Sequence, residues 1–185
     1  MVGPGKAWAM SLKHGGRCTV GADTQAFEGI IADIETPMYV VTTATGTDRG
    51  GCLVGFASQC SIEPPLFCVW LSNLNHTYRL AQAAVTLVVH LLRHGDQDLA
   101  RRFGGETGDE VDKFTDIAWH AGPGGCPVIA RCDWFAGTII DRLDTGDHAA
   151  LVLSPWGGEC KHNGTPQLTF REIGDVRAGH PIPES

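Results

Sequence analysis

The strongest constraint on this fold is a series of short, β-branched and aromatic runs, each stopped by Gly, Pro or an Asp-Gly type turn. MYVVTTAT (38–45), CLVGFASQCSI (52–62), LFCVWLS (66–72), VTLVVHLL (85–92), VIARCDWFAGTIIDRL (128–143) and HAALVLSPW (148–156) all read as strands. TGTDRGG joins the first two as a turn, Glu63-Pro64-Pro65 closes the second, and DTGD (144–147) turns the chain between the last two. Gly137 marks a bend in the long run, and PQLTFREI (166–173) is read as one more short strand. Helical spacing is scarce. Phe27, Ile30, Ile31 and Ile34 share one face of a helix over 25–34 with Thr24 as its cap, SNLNHTYRLAQAA enters a second helix, and DQDLARRFGG (96–105) ends a third at Gly104. Residues 106–127 are read as loop with one helical turn near Val111–Phe114. Strands and helices do not alternate, so a doubly wound parallel sheet is excluded. The expectation is a mainly β fold, a split antiparallel barrel with short helices on its rim.

At 185 residues the chain fits one domain, long enough to bury roughly 70% of its unfolded surface without a metal or disulfide. The expected layout is a Gly-rich arm over 1–25, a barrel domain over 26–172 and a tail over 173–185. Fourteen Lys and Arg against 21 Asp and Glu leave a net charge of −7, with no basic block. That argues against nucleic acid and acidic membrane surfaces as partners, and any phosphate must be held by a few local donors. The seven cysteines (18, 52, 60, 68, 126, 132 and 160) form no C-x-x-C pair. They read as small buried thiols in a reducing compartment, and no metal site is expected. No apolar run reaches the roughly 18 residues of a membrane span, and no signal peptide is visible, so a cytoplasmic protein is expected.

Four stretches carry chemistry. GFASQCSIEPP presents Gly55, Phe56, Ala57, Ser58, Gln59, Cys60 and Ser61, with little bulk between them. Such a strand either packs on another backbone or lies against a flat heteroaromatic ligand through its main-chain groups. SNLNHTYR is a capped helix start, or a phosphate site built from Asn73, Asn75, His76, Thr77 and Arg79. Gly146 and Asp147 are explained by the turn, while His148 opens a strand either as a core residue or as a group that positions a bound ring. In FGGETGDEVDKF the acidic residues suit a solvated loop. Phe103, Lys113 and Phe114 there are candidates for a mobile pocket rim. The remaining histidines lack ligand spacing, and no nucleophile elbow or Walker-type loop is present.

Taken in order, TPMYVVTT, a turn with GG, GFASQCSIEPPLF, SNLNHT, LARRFGGETGDEVDKF, GPGGCP and GDH resemble the flavin reductase family of FMN-binding split β-barrels over about residues 25–155. The departures are Gly55 and Phe56, where Asn and Ser are common in the family, and Gln59 in place of a Ser. The resemblance implies a homodimer that binds FMN, with FAD as the alternative, and passes hydride to it from NADH or NADPH. The reduced flavin would supply a partner monooxygenase. It further implies that residues 55–61 line the isoalloxazine ring, that the 73–79 segment lies near the phosphate, and that His148 lies beside the nicotinamide. A flavin carrier or sensor, or a deazaflavin protein, is the competing reading.

Overall fold

The computed structural model describes residues 24–161, 164–174 and 176. The arm expected over 1–25 and the tail over 173–185 lie almost wholly outside these residues, as do Cys18, His14, His162 and His180. Seven strands form one sheet, all paired antiparallel: β1 (Tyr39–Thr45), β2 (Asp48–Val54), β3 (Ala57–Ser61), β4 (Leu66–Ser72), β5 (Thr86–Leu91), β8 (Asp133–Asp144) and β9 (His148–Glu159). Their order is β2-β1-β5-β8-β9-β4-β3. A separate two-stranded ladder pairs β6 (Trp119–Ala121) with β7 (Pro127–Ile129).

Strands β2 and β3 are neighbours in the chain yet sit at opposite edges of the sheet. Only Gly55 and Phe56 join them, a link that spans no more than about 11 Å. The two edges must therefore meet, and the sheet curls into a barrel left open along that seam. The expected split antiparallel barrel is the observed fold.

Period-two alternation fills two cores at once. Val41, Leu87 and Val89 pack with Val69, Leu71, Leu151 and Leu153 in one cluster, while Val40 packs with Leu92, Leu99, Phe103, Ile129 and Leu168 in another. β5 is buried along its length, apart from its two ends, because both of its faces are covered. Each fully buried Leu or Val contributes about 1.5–3 kcal/mol.

The structure corrects several sequence expectations. The strand expected over 52–62 is two strands, because the Phe56 carbonyl accepts from the Trp70 amide (2.9 Å) and turns the chain onto the far edge. The turn before it is shorter than TGTDRGG, with Gly46 at φ +60° and the segment from Asp48 already paired to β1. The run over 128–143 breaks at 130–132, but the ladder does shift register at Gly137 as the bend predicts. Residues 166–173 make two isolated bridges and a 3₁₀ turn instead of a strand. The first helix, α1 (Thr24–Asp33), leaves Phe27, Ile30, Ile31 and Ile34 exposed. Cys52, Cys68, Cys126 and Cys132 are buried, whereas Cys60 and Cys160 are exposed. Burial pushes the Cys52 thiol up to about 11 and Cys132 up to about 12, so both stay protonated and unreactive.

Candidate functional site

The chemistry gathers along the seam. β3 is an edge strand whose Ser58, Gln59 and Cys60 are exposed, and half of its main-chain groups point away from β4. Ser58 Oγ donates to the Gln59 carbonyl (3.1 Å), and Gln59 Nε2 donates to the Ser61 carbonyl (3.0 Å). The protein's own packing does not demand a glycine at the start of this segment. A Cβ built on Gly55 would meet Thr36 and Met38 at ordinary distances of 3.5 and 3.6 Å. At Gly51, by contrast, a Cβ would come within 2.7 Å of the Phe103 ring.

Beside the strand, Phe56 and His148 meet edge to face, with centroids 5.5 Å apart at 64°. His148 lies opposite Ser72 in the ladder, and its Nδ1 pairs with the Asp147 carboxylate at 2.8 Å. Asn73 ties this corner together. Its amide donates to the Asp147 carbonyl (2.9 Å) and its Nδ2 to the Gly146 carbonyl (2.7 Å). The chain then enters α2 (His76–Ala81), where Asn75 Oδ1 accepts from the Thr77 amide at 3.0 Å. Thr77 is buried, and its hydroxyl has no hydrogen-bond partner among the described residues. Asn75 thus caps the helix, and His76 and Arg79 are the members of the segment that pair with the loop at Asp109.

His76 borders a cleft of about 430 Å³ between residues 47–51, around the start of β2, and the loop 108–114, and Arg79 joins its edge through Asp109. His76 Nδ1 pairs with Asp109 Oδ1 at 2.9 Å, and the Arg79 guanidinium pairs with the same oxygen. Hydrogen bonds from Arg79 and His76 hold the Asp109 carboxyl down to about 2. Arg49 pairs with Asp112 at 2.5 Å and lies over the Trp119 ring, 4.8 Å from its centroid.

The acidic loop is therefore not simply solvated, and its aromatic members are not a mobile rim. Phe103, on α3 (Gln97–Gly105), is fully buried and packs edge to face on Phe114 (5.4 Å) beneath Gly51. It belongs to the core, because the missing side chain at Gly51 lets the ring settle on β2. Phe114, also buried, floors the cleft. The Lys113 ammonium is turned inward, donating to the Phe103 carbonyl at 3.0 Å, and burial lowers its pKa. Asp109, Asp112 and Arg49 escaped the sequence reading, since each meets its partner across 30 or more residues of chain.

No group of three or more metal-ligating side chains occurs among the described residues, and no helix there is long and apolar enough to cross a membrane. The site thus combines an edge strand with accessible main chain, a His–Phe corner and a cleft where Arg49 and His76 meet the carboxylates of Asp112 and Asp109, on a split barrel. The fold places the protein in the class of split antiparallel β-barrels.

The chain belongs to the flavin reductase like domain family, whose sequence profile matches residues 31–177. This match runs past the 155 expected from motifs, because Leu168, Ile173 and Val176 pack in the second core. Among similar proteins, the stachydrine N-demethylase reductase subunit Stc3 of Rhizobium meliloti is 29% identical over 117 residues, 60% of this chain and 50% of that one. The FMN reductase (NADH) RutF of Pseudomonas syringae is 25% identical over 152 residues, 82% of this chain and 75% of that one. The crystal structure of an Arthrobacter flavin reductase domain protein superposes with a TM-score of 0.72 at 21% identity, over 88% of this chain and 98% of that one. The chain spans half or less of the length of some curated relatives that it matches.

Proposed function

We propose that this protein is an NAD(P)H:flavin oxidoreductase that binds FMN, with FAD as the alternative, and supplies reduced flavin to a partner monooxygenase. The observation that carries this reading is β3. It is an exposed edge strand, and at Gly55, just before it, the protein's own packing does not require a glycine. When bound, the flavin contributes the ring that accepts hydride from the nicotinamide. The outward main-chain groups of residues 57–61, with Ser58 and Gln59, suit the hydrogen-bonding edge of such a ring. His76 and Arg79 suit its phosphate, and their donor chemistry fits an anion in an otherwise acidic protein. His148, oriented by Asp147 and braced by Phe56, positions the nicotinamide, because hydride transfer needs close, aligned rings more than a strong base. The names of relatives, a demethylase reductase subunit and an NADH-dependent FMN reductase, support the reaction class and the oxygenase partner. A homodimer accords with the exposed apolar face of α1, and sedimentation would give its stoichiometry.

The deciding experiment adds FMN, removes the excess, and then adds NADH and NADPH in turn without oxygen while the flavin absorbance is followed. Bleaching by either donor is expected. A flavin that stays oxidised with both would overturn the reductase reading and leave a carrier. In the same assay His148→Ala is expected to slow reduction about 100-fold through misalignment while FMN binding holds. Equal loss of binding and rate would make His148 structural.

A further inference from the structure

Two carboxylates of the loop between α3 and β6 pair with basic side chains around the cleft. Asp109 is seated between His76 and Arg79, the pair assigned above to a phosphate. Three residues on, Asp112 holds Arg49, whose guanidinium rests over Trp119 and Phe114. The backbone shapes the loop for this seat. Thr107 Oγ1 accepts from the Asp109 amide at 3.3 Å, and Gly108 lies so close to His76 that a Cβ would come within 2.9 Å of its ring. The seat is also one that can open, since the Asp109 and Arg79 side chains are 48% and 50% exposed. Exposed ion pairs of this kind are weak.

We infer that Asp109 is a latch that selects ligands by charge, yielding His76 and Arg79 to a phosphate but not to an uncharged ligand. The inference rests on the flavin reading above. A phosphate brings a charge of about −1.5 to −2 and three strong acceptor oxygens, against one negative charge on the carboxylate. It can therefore replace both bonds that Asp109 makes to His76 and Arg79 and add more. Riboflavin, which lacks the phosphate, offers these two donors nothing in exchange. The displacement breaks no covalent bond: one anion leaves the pair as another arrives. Asp109 thus becomes a specificity-determining residue that discriminates FMN from its dephosphorylated form.

The test is a titration of the wild type and Asp109→Asn with FMN and with riboflavin, read by quenching of flavin fluorescence. Asp109 is a surface side chain, so the substitution leaves the core untouched. Removing the competing charge is expected to tighten FMN roughly fivefold and leave riboflavin unchanged. In the wild type, FMN should also speed amide exchange over residues 107–112 as the loop is released. Unchanged or weakened FMN binding in the variant would overturn the latch and make Asp109 an orienting group, while wild-type binding of FMN keeps the flavin reading intact. Equal tightening of both flavins would overturn selection by the phosphate. If neither protein binds either flavin, the flavin reading itself fails and the latch falls with it.

Discussion

Asp133→Ala is expected to lower the stability of this protein by about 3–5 kcal/mol. For a chain of this size that lowers Tm by roughly 10 °C. Asp133 sits almost buried at the start of β8, and Arg93, beyond β5, donates to its Oδ2 from Nε (2.9 Å) and Nη2 (2.5 Å). The other oxygen accepts from the Lys161 amide at 2.7 Å, and Arg93 Nη1 also donates to the Thr165 carbonyl at 2.6 Å. One carboxylate thus fastens the segment after β9 to the end of the barrel. Removing it leaves the Arg93 guanidinium, only 16% exposed, without its counter-charge. Desolvation makes that loss far larger than for a surface pair. Asp133→Asn keeps an acceptor for Lys161 and should fall between the two. Urea unfolding of all three proteins checks the order. An Ala variant within about 1 kcal/mol of wild type would show that the pair contributes no more than a surface bridge.

Acid is expected to weaken the fold through His90. This residue lies on β5, fully buried, with Nδ1 donating to the Val40 carbonyl (3.0 Å) and Nε2 accepting from the Ile129 amide (3.1 Å). Both ring nitrogens are therefore engaged only when the imidazole is neutral. Protonation would put a second proton where Ile129 already donates. Burial lowers the pKa from 6.5 to about 4, with His120 nearby adding to the effect. Because the folded value lies below the unfolded one, the unfolded chain takes up the proton first. Stability is thus full above the unfolded pKa of 6.5 and is lost as pH falls from there toward 4. The loss attributable to His90 by pH 4 is about 3 kcal/mol. His90→Gln removes the titration, so the difference between its pH dependence and that of wild type isolates the effect. Parallel curves for the two proteins would assign the acid lability to other groups.

Local features of the fold were legible because they are written within a few residues. β4 and β9 show as apolar runs between turns, a cap shows at Asn75 or Thr77, and Gly137 shows as an irregularity in a long strand. β6 and β7 were not legible, since three-residue strands carry no readable period. Phe103 looked like a lid residue between glycines and an acidic loop. Its burial depends on Gly51 and Phe114, which are brought to it by separate elements. The small residues of 55–61 stood out in the sequence, but their position at an open edge did not.

The sequence by itself determined where the longer strands β1, β4, β5 and β9 run, the tight turn between β8 and β9, and which family the chain resembles. These follow from side-chain alternation and turn chemistry among near neighbours. Only the tertiary structure decided that Gly55 and Phe56 carry the chain from one sheet edge to the other. It alone decided that Asp109 meets His76 and Arg79, and that Asp147 braces His148 at the seam with Phe56. Such meetings depend on how far the whole sheet curls, which is a sum of small twists over every strand pair and is written in no single stretch of chain.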